Sequence, residues 1–311
     1  MIVSLLLLIV LSAVSLSVGA ADISLLQPDA HSWQILTESR IPRLVSILIT
    51  GAGMATAGLV MQQLSQNKFA SPSTSGTIES AGFGILLTMV WLPDASVAVK
   101  IAVAFACAIV GTRIFIYMLH RVVYKDALFI PLLGIMFGRV VAALTTFIAY
   151  KYDLIQSLNA RLYGDFSGIL KGRYELLYLG IVVIVLTYLY AHKFTIAGFG
   201  ESFAKSLGVD YAYVRQLGLV LIAVTTAIVV LTVGEVPFIG LIIPNLVTMV
   251  RGDNVRANLP YVATGGALFV LLCDIIGRLL IFPYEISVSL IIGIVGGTAF
   301  LAVLTRRHLY G

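Results

Sequence analysis

The hydrophobic pattern of this chain is a series of apolar runs, each roughly 20 residues long, separated by short polar connections. Runs such as 176–191 and 217–233 are apolar around the whole helical turn and lack the period-two alternation of barrel strands. A helix needs about 20 apolar residues to cross the hydrocarbon layer. The pattern therefore predicts an all-α integral membrane protein with about ten transmembrane helices.

The predicted spans have boundaries that are read from the ends of the apolar runs. They are 1–20, 44–64, 74–92, 96–119, 127–149, 174–191, 216–233, 236–250, 259–281 and 285–304. The eighth is short and contains Pro237 and Pro244, so we expect it to be broken or buried in protein. The first could also be a signal peptide ending near Gly19, but no basic segment precedes it, which favours a retained span.

Composition supports lipid as the solvent for most of the surface. Of 311 residues, 59% are hydrophobic and only 11% are charged, whereas a soluble domain carries about 25% charged residues. Ten spans leave only short loops, so we expect a single transmembrane domain over 1–311. The net charge is +5, but the basic residues form no stripe with aromatic residues, which argues against a nucleic-acid partner.

Loop charges predict the orientation, because short cytoplasmic loops carry an excess of Lys and Arg. With the N-terminus inside, the inner loops hold Lys68, Arg121, Lys125, Lys193, Lys205, Arg215, Arg251, Arg256, Arg306 and Arg307. The outer loops hold Arg40, Arg43, Lys151, Arg161, Lys171 and Arg173. This distribution predicts that both termini lie in the cytoplasm.

Motifs for chemistry are absent from the sequence. It contains no G-x-x-x-x-G-K-[ST] loop, no H-E-x-x-H and no G-x-S-x-G, and its four histidines are scattered. We therefore predict no catalytic residue, no metal site and no cofactor. The alternatives to a transport subunit driven by separate ATPases are an ATP-independent channel or secondary transporter and an intramembrane enzyme.

Two stretches carry a family resemblance. The first contains Arg40-Ile41-Pro42-Arg43, the glycines of 51–58 and Asn67 to Pro72; the second runs from Gly234 through Pro244-Asn245 and Asp274…Arg278 to Pro283-Tyr284-Glu285. In order and content they resemble the FecCD-type permeases, membrane subunits of ABC importers for iron–siderophores, haem and cobalamin. Lys68 and Asn245 depart from the family pattern, as does Glu79, and these departures resemble the branch associated with catecholate siderophores.

The resemblance implies a type II ABC importer permease fold and a defined set of partners. These are two cytoplasmic ATPase subunits, a periplasmic or lipid-anchored substrate-binding protein, and a second permease, either identical or a sister chain. The expected cargo is a ferric siderophore. It would pass between the two permeases along a pathway lined chiefly by the fifth and tenth spans.

Three arginines are candidates for docking the substrate-binding protein. Arg40 and Arg43 lie at the outer start of the second span, and Pro42 between them fixes the entry of the chain, so both guanidinium groups should project from a rigid surface. Arg278 lies near the outer end of the ninth span. The resemblance implies that arginines at these positions meet carboxylates of the binding protein, although anchoring at lipid headgroups is the alternative. Asp274 and Arg278, four residues apart, are also spaced for a helical ion pair.

The remaining candidates are an inner loop and two charged side chains within predicted spans. The loop 192–215 is implied by the resemblance to fold as two short helices that seat in the ATPase, with Glu201, Ala204, Leu207 and Gly208 at the centre of this coupling loop. Arg139 and Glu79 lie within predicted spans, where charges are costly and must face protein or water. We expect them on the cargo pathway, with a structural role as the alternative.

Overall fold

The computed structural model describes residues 1–19, 30–121, 129–172 and 174–308. Lys125 and Arg173 of the loop charges lie outside the described residues, as do the side chains of Arg306 and Arg307. The helices are α1 (Ile2–Ser17), α2 (Ala30–Ile35), α3 (Ile41–Ser65), α4 (Thr77–Trp91), α5 (Val97–Arg121), α6 (Phe129–Lys151), α7 (Ile155–Leu162), α8 (Tyr178–Ala197), α9 (Glu201–Ser206), α10 (Tyr211–Thr232), α11 (Ile239–Arg251), α12 (Val255–Leu279) and α13 (Val288–His308). A π-helical turn, Leu36–Arg40, joins α2 to α3.

Each predicted span has a helix at its position, and the chain is all-helical where the structure describes it, apart from two isolated bridges. Six of the described helical segments are long and apolar enough to cross a membrane, namely Ser32–Ser65, Val97–Leu119, Leu132–Lys151, Glu175–Ala197, Tyr211–Thr232 and Val255–Leu279. Four shorter apolar helices accompany them: Ile2–Ser17, Thr77–Trp91, Ile239–Arg251 and Val288–Ala299. The all-α fold and its multi-pass character are therefore as predicted.

Helix α3 forms the centre of the bundle and packs against α8, α10, α11 and α12. Its glycines make this possible, because a Cβ on Gly51 would overlap the backbone of Gly266 in α12 and a Cβ on Gly58 would overlap that of Gly240 in α11. Small residues let helices approach at backbone distance in lipid. The glycine spacing in the sequence thus identifies the central helix.

Helix α11 decides between the two expected forms of the eighth span, a broken helix and a protein-buried one. It is one continuous helix over Ile239–Arg251, although Pro244 lies inside it and Pro237 precedes it. Its first half is buried and its last residues, including Val250, are exposed. At 1.5 Å per residue its 13 residues rise about 20 Å. It is short and partly protein-buried, as predicted, but not broken.

The connections gather at the two ends of the bundle. At one end, Asn245 Nδ2 donates to Lys68 O at 2.8 Å, Lys68 pairs with Asp253, and the Val255 amide donates to Thr195 Oγ1 at 3.2 Å. At the other end, different connections meet. The Glu235 amide donates to Leu162 O at 2.8 Å, and Ser287 Oγ donates to Gly164 O at 2.8 Å.

Candidate functional site

Two of the three candidate docking arginines are buried against the end of α1. Arg40 Nη1 donates to the carbonyl oxygens of Leu16 at 2.5 Å and Ser17 at 3.0 Å. Arg278 Nη1 donates to the other two carbonyls of residues 15–18, at 2.9 and 2.8 Å. The last carbonyls of a helix lack intrahelical donors and carry the negative end of its dipole. The two guanidinium groups therefore cap α1.

The third arginine, Arg43, links two carboxylates. Its Nε and Nη2 donate to Asp274 Oδ1 at 3.1 and 2.7 Å, and its Nη1 donates to both oxygens of Glu285 at 3.1 and 2.8 Å. Asp274 is fully buried, and its Oδ2 accepts from Arg278, so the predicted helical ion pair forms. We call Arg40, Arg43, Asp274, Arg278 and Glu285 the outer cluster.

The outer cluster corrects the expected geometry of the docking residues. The guanidinium groups of Arg40 and Arg278 do not project from the surface, because they are only 8% and 4% exposed and donate to helix carbonyls. The Arg43 side chain is 12% exposed. Sequence reasoning quoted Glu285 in a motif but missed its contact with Arg43, since only the fold brings residues 242 positions apart together. Docking itself stays a prediction.

Helix α6 presents Arg139 on an exposed face. The same face carries Leu132, Ile135, Met136, Val140, Leu144 and Phe147, which recur at helical spacing and are exposed. The Glu79 carboxylate lies behind this face, against the backbone of α6, since a Cβ on Gly138 would come within 2.9 Å of Glu79 Cδ. Glu79 Oε2 is buried without a hydrogen-bond partner. The structure thus places both candidate cargo residues next to each other.

A second carboxylate, Glu235, lies near this pair and was missed as a site residue. It belongs to the connection between α10 and α11, where its carbonyl accepts from Ser289 Oγ. Burial, together with the charge of Glu79, raises the pKa of Glu235 to about 7, while Arg139 opposes the shift. The sequence signal was the isolated acid in Gly234-Glu235-Val236-Pro237, between two apolar helices.

The predicted coupling loop, residues 192–215, is called the coupling segment below. It has one short helix instead of the two expected. Helix α9 spans Glu201–Ser206, and α10 already begins at Tyr211 because the Asp210 carboxylate accepts from the Tyr213 amide at 3.0 Å and so caps the helix. Helix α8 also extends to Ala197, beyond the predicted 191. The loop is therefore shortened from both sides.

Side chains of the coupling segment divide between its two faces. Ala204 is fully buried, so it supports α9 from below and does not face outward. Leu207 is exposed, and Gly208 has a positive φ of 74° with open space around it. The exposed rings of Phe199 and Phe203, 5.2 Å apart, join Leu207 in an apolar patch that sequence reasoning missed.

The coupling segment rests on the C-terminal end of α3. A Cβ on Gly198 would overlap Gln63 Oε1, and one on Gly200 would lie 2.9 Å from Gln66 Nε2. Gln63 and Gln66 also line a polar cavity of about 140 Å³ that lies beside the Lys68–Asp253 ion pair. The two residues that enter α9 from α8, Gly198 and Gly200, therefore contact the end of the central helix of the bundle.

Comparisons with known proteins agree with this architecture. The chain is 49% identical over 307 residues to the petrobactin import system permease protein YclN of Bacillus subtilis, covering 98% of this chain and 97% of that protein. It is 40% identical to the ferric-anguibactin transport system permease protein FatD of Vibrio anguillarum, covering 95% of each. A solved structure described as an inward-facing conformation of a putative metal-chelate type ABC transporter superposes with a TM-score of 0.83 at 24% identity, over 97% of both chains.

The family assignment rests on the whole length of the chain. The model of the FecCD transport family matches residues 1–306, which includes α1, α9 and the outer cluster. Transport, and not catalysis, is the activity of this family by its description. The chain belongs to the FecCD transport family.

Proposed function

We propose that this chain is the permease subunit of an ABC importer that carries a ferric siderophore, of catecholate type, across the bacterial cytoplasmic membrane. The observation that supports it most directly is the 49% identity, over 98% of the chain, to an import system permease. Relatives described as permeases for petrobactin and ferric anguibactin support the cargo class. The departures at Lys68, Glu79 and Asn245 support the catecholate branch.

The proposed arrangement is a single type II permease domain with ten spans and both termini inside. It pairs with a second permease, and two ATPase subunits bind its inner face at α9. The exposed apolar patch of Phe199, Phe203 and Leu207 supports this contact, because an apolar surface outside the lipid needs a protein partner. A substrate-binding protein delivers cargo to the outer end, where the outer cluster lies.

The exposed face of α6 supports a pathway between two permeases. In that position Arg139 would meet the anionic cargo, and Glu79 and Glu235 would hold its guanidinium in place. Arg139→Leu should therefore lower uptake of an iron-55-labelled ferric catecholate siderophore by about tenfold or more while the protein still inserts. Val140→Leu, on the same exposed face, is the matched control. Failure of Arg139→Leu to insert, or unchanged uptake, would contradict the cargo role.

Purification in mild detergent tests the importer against its rivals. An ABC permease should elute with an ATPase subunit, and its ATP hydrolysis should rise with cargo and binding protein. An ATP-independent channel or secondary transporter would elute without an ATPase and would carry cargo in vesicles that lack ATP. Cargo transport without ATP would therefore overturn the proposal.

A further inference from the structure

Helix α10 lies at the bottom of a groove between α5 and α8. It packs against both helices, and 67% of its most apolar stretch is buried, compared with 33% for α5 and 28% for α8. Gly218 and Thr225 of α10 face α3. The opposite side of α10 carries a stripe of apolar, partly exposed residues at helical spacing: Leu217, Val220, Val224 and Leu231. This stripe is the floor of the groove, and α5 and α8 are its walls.

At the end predicted to be outside, the groove widens into a cavity of about 960 Å³. The starts of α5 and α8, the end of α10 and the segment 160–172 line it, whereas no described residue of α6 or α13 does. The loop before α8 is fixed there, because the amides of Asp165 and Lys171 donate to Val233 O and Glu38 O, both at 3.0 Å. The cavity is therefore a built part of the fold and is separate from the proposed pathway.

The cavity combines apolar walls with charged side chains of both signs. Ile101 and Leu179 belong to the apolar walls. Four charged side chains complete the lining: Lys100, Arg161, Asp165 and Glu175. Arg161 is exposed and makes no hydrogen bond or ion pair with any residue that the structure describes. Lys100 uses one of its three donors, on Pro93 O at 2.9 Å. Both cations therefore keep donors for a further acceptor.

Each acid of the cavity binds part of the loop before α8 and keeps further lone pairs. The Asp165 carboxylate accepts from Ser167, and Glu175 Oε1 accepts from the Gly172 amide at 2.7 Å. A carboxylate has about four acceptor positions. The cavity therefore offers both donors for an anionic group and acceptors for a cationic one.

Aromatic residues mark the level of the cavity in the membrane. Trp91, Tyr163 and Tyr178 are 66%, 59% and 43% exposed, and Tyr163 lines the cavity itself. Exposed Trp and Tyr residues concentrate where the hydrocarbon layer meets water. The charged cavity therefore lies at the level of the lipid headgroups, and the apolar stripe of α10 continues from it into the hydrocarbon layer.

We propose that the groove and the cavity bind one molecule of phosphatidylethanolamine from the outer leaflet. Its phosphate accepts from Lys100 and Arg161, and its ammonium group donates to Asp165 and Glu175. One acyl chain lies along the apolar stripe of α10. The inference uses the predicted orientation of the chain but is independent of the cargo and of the ATPase subunits.

The charges favour this lipid over other phospholipids. Phosphatidylglycerol has no cation, so it would leave the two acids of the cavity without a partner of opposite charge. Phosphatidylcholine has a cation, but its quaternary ammonium lacks the N–H donors that the carboxylates accept. In the groove below, an acyl chain restores the dispersion contacts that an empty space between α5 and α8 would forfeit.

The test measures phospholipid binding to the full chain, purified in detergent and washed free of endogenous lipid. Native mass spectrometry counts the bound lipids as each phospholipid is titrated. Phosphatidylethanolamine should bind roughly fivefold more tightly than phosphatidylcholine or phosphatidylglycerol. A photoactivatable analogue with a diazirine in its acyl chain should label peptides of α5, α8 and α10, and not those of α6.

Paired substitutions separate the two halves of the headgroup. Lys100→Gln with Arg161→Gln removes both donors to the phosphate and should weaken binding of all three lipids by about tenfold or more. Asp165→Asn with Glu175→Gln keeps oxygens that accept from the loop, and should shift the preference from phosphatidylethanolamine to phosphatidylglycerol. Lys151→Gln, at an exposed cation of an outer connection outside the cavity, is the matched control and should change neither.

A bulky side chain in the cavity tests the position of the lipid. Ala98 is exposed and lines the cavity, so Ala98→Trp should displace the lipid and remove the rise in unfolding temperature that added phosphatidylethanolamine gives to the wild type. Val99, the next residue of α5, is exposed but does not line the cavity. Val99→Trp should therefore bind lipid as the wild type does.

The outcomes divide clearly. Equal affinity for the three lipids, or unchanged binding in the variant without Lys100 and Arg161, would show ordinary surrounding lipid and overturn the inference. Tightest binding of phosphatidylglycerol to the wild type would assign the cavity to an anionic lipid and would contradict the proposed headgroup. Labelling confined to peptides outside α5, α8 and α10, with Ala98→Trp behaving as the wild type, would show that no lipid occupies the groove.

Discussion

At the scale of single residues, the outer end of this protein shows why a charge in a sequence does not reveal its own surroundings. Arg40 and Arg43 flank Pro42, and this arrangement suggested two projecting guanidinium groups. The fold turns Arg40 towards the carbonyls of α1 and Arg43 towards two acids. Unsatisfied helix carbonyls and a buried carboxylate compete for arginine donors more strongly than water does in a low-dielectric surrounding.

This distinction predicts different consequences for Arg40 and Arg43. Arg40→Met keeps the length of the side chain but leaves the last carbonyls of α1 without donors, so it should lower the free energy of unfolding by about 1–3 kcal/mol. Thermal unfolding in detergent measures the loss. Arg161→Met, at an exposed arginine at the end of α7, should change stability by less than about 0.5 kcal/mol. Equal stability of the two variants would show that Arg40 does not hold α1.

Glu235 predicts a dependence of stability on pH. Its pKa is raised from 4.5 to about 7 in the folded protein, chiefly by burial and then by Glu79. An acid whose pKa is raised by folding stabilises the folded state at pH values below its pKa in the unfolded chain. This contribution is lost as the pH rises through its pKa in the folded protein. The unfolding temperature of the wild type should therefore fall between pH 5 and pH 8 relative to that of Glu235→Gln, by roughly 2–5 °C. Parallel curves for the two proteins would contradict this.

The contacts of the candidate residues were predictable only where they are local in sequence. The Asp274–Arg278 pair follows from helical spacing alone and is present. The contact between Arg43 and Glu285 joins α3 to the segment before α13, and no local pattern encodes it. Glu235 was passed over because a single acid in a turn usually faces water. Only the fold, which places Glu235 against Leu162 and Gly164, shows that this one is largely removed from water.

At the scale of helices, the apolar pattern predicted positions well and ends less well. The start of α10 was missed because its first turn, from Tyr211, is polar outside the lipid and reads as loop until the cap at Asp210 is recognised. The end of α8 was missed for the same reason. The eighth span was expected to be broken or buried in protein, and α11 is buried over its first half and continues through Pro244. Tertiary packing compensates there for one lost hydrogen bond.

The coupling segment makes an element-scale prediction. Gly208 has φ of 74°, which a β-branched residue adopts only with strain, so Gly208→Val should shift α9 relative to α10 and lower cargo uptake by about tenfold. Phe203→Ser should also lower cargo uptake, because it removes the exposed ring. Both variants should insert normally. Gly168→Val is the matched control, because Gly168 lies in a loop with open space around it and without positive φ. Wild-type uptake and ATP hydrolysis in Gly208→Val would contradict the coupling role.

At the scale of the whole molecule, sequence and structure give different numbers of membrane crossings: the apolar pattern predicts ten, and the described helices include six that are long enough. Six described segments reach the length and hydropathy of a span, and α4 does not, since its 15 residues rise about 22 Å against a hydrocarbon layer of about 30 Å. We nevertheless predict that it crosses, because of its packing. Gly84 lies against Ala104 and Ser80 lies against Gly111, so α4 runs antiparallel to the long helix α5.

That packing predicts opposite sides for the two ends of α4. In a variant without Cys107 and Cys273, Gln66→Cys should react with a membrane-impermeant maleimide only after the cells are opened, whereas Asp94→Cys should react in intact cells. Both positions are exposed. Ser206→Cys at the end of α9 and Ser167→Cys in the loop before α8 extend the test. They should behave like Gln66→Cys and Asp94→Cys respectively. The loop charges set this direction, because the ion pair of Lys68 and the cations around α9 lie at the end predicted to be inside.

Labelling of positions 66 and 94 from the same side would show that α4 does not cross the membrane, and the prediction of ten spans would be wrong. Labelling of position 206 in intact cells would show that the orientation is the reverse of the predicted one. Helix α9 would then lie outside, where no ATPase subunit could bind it.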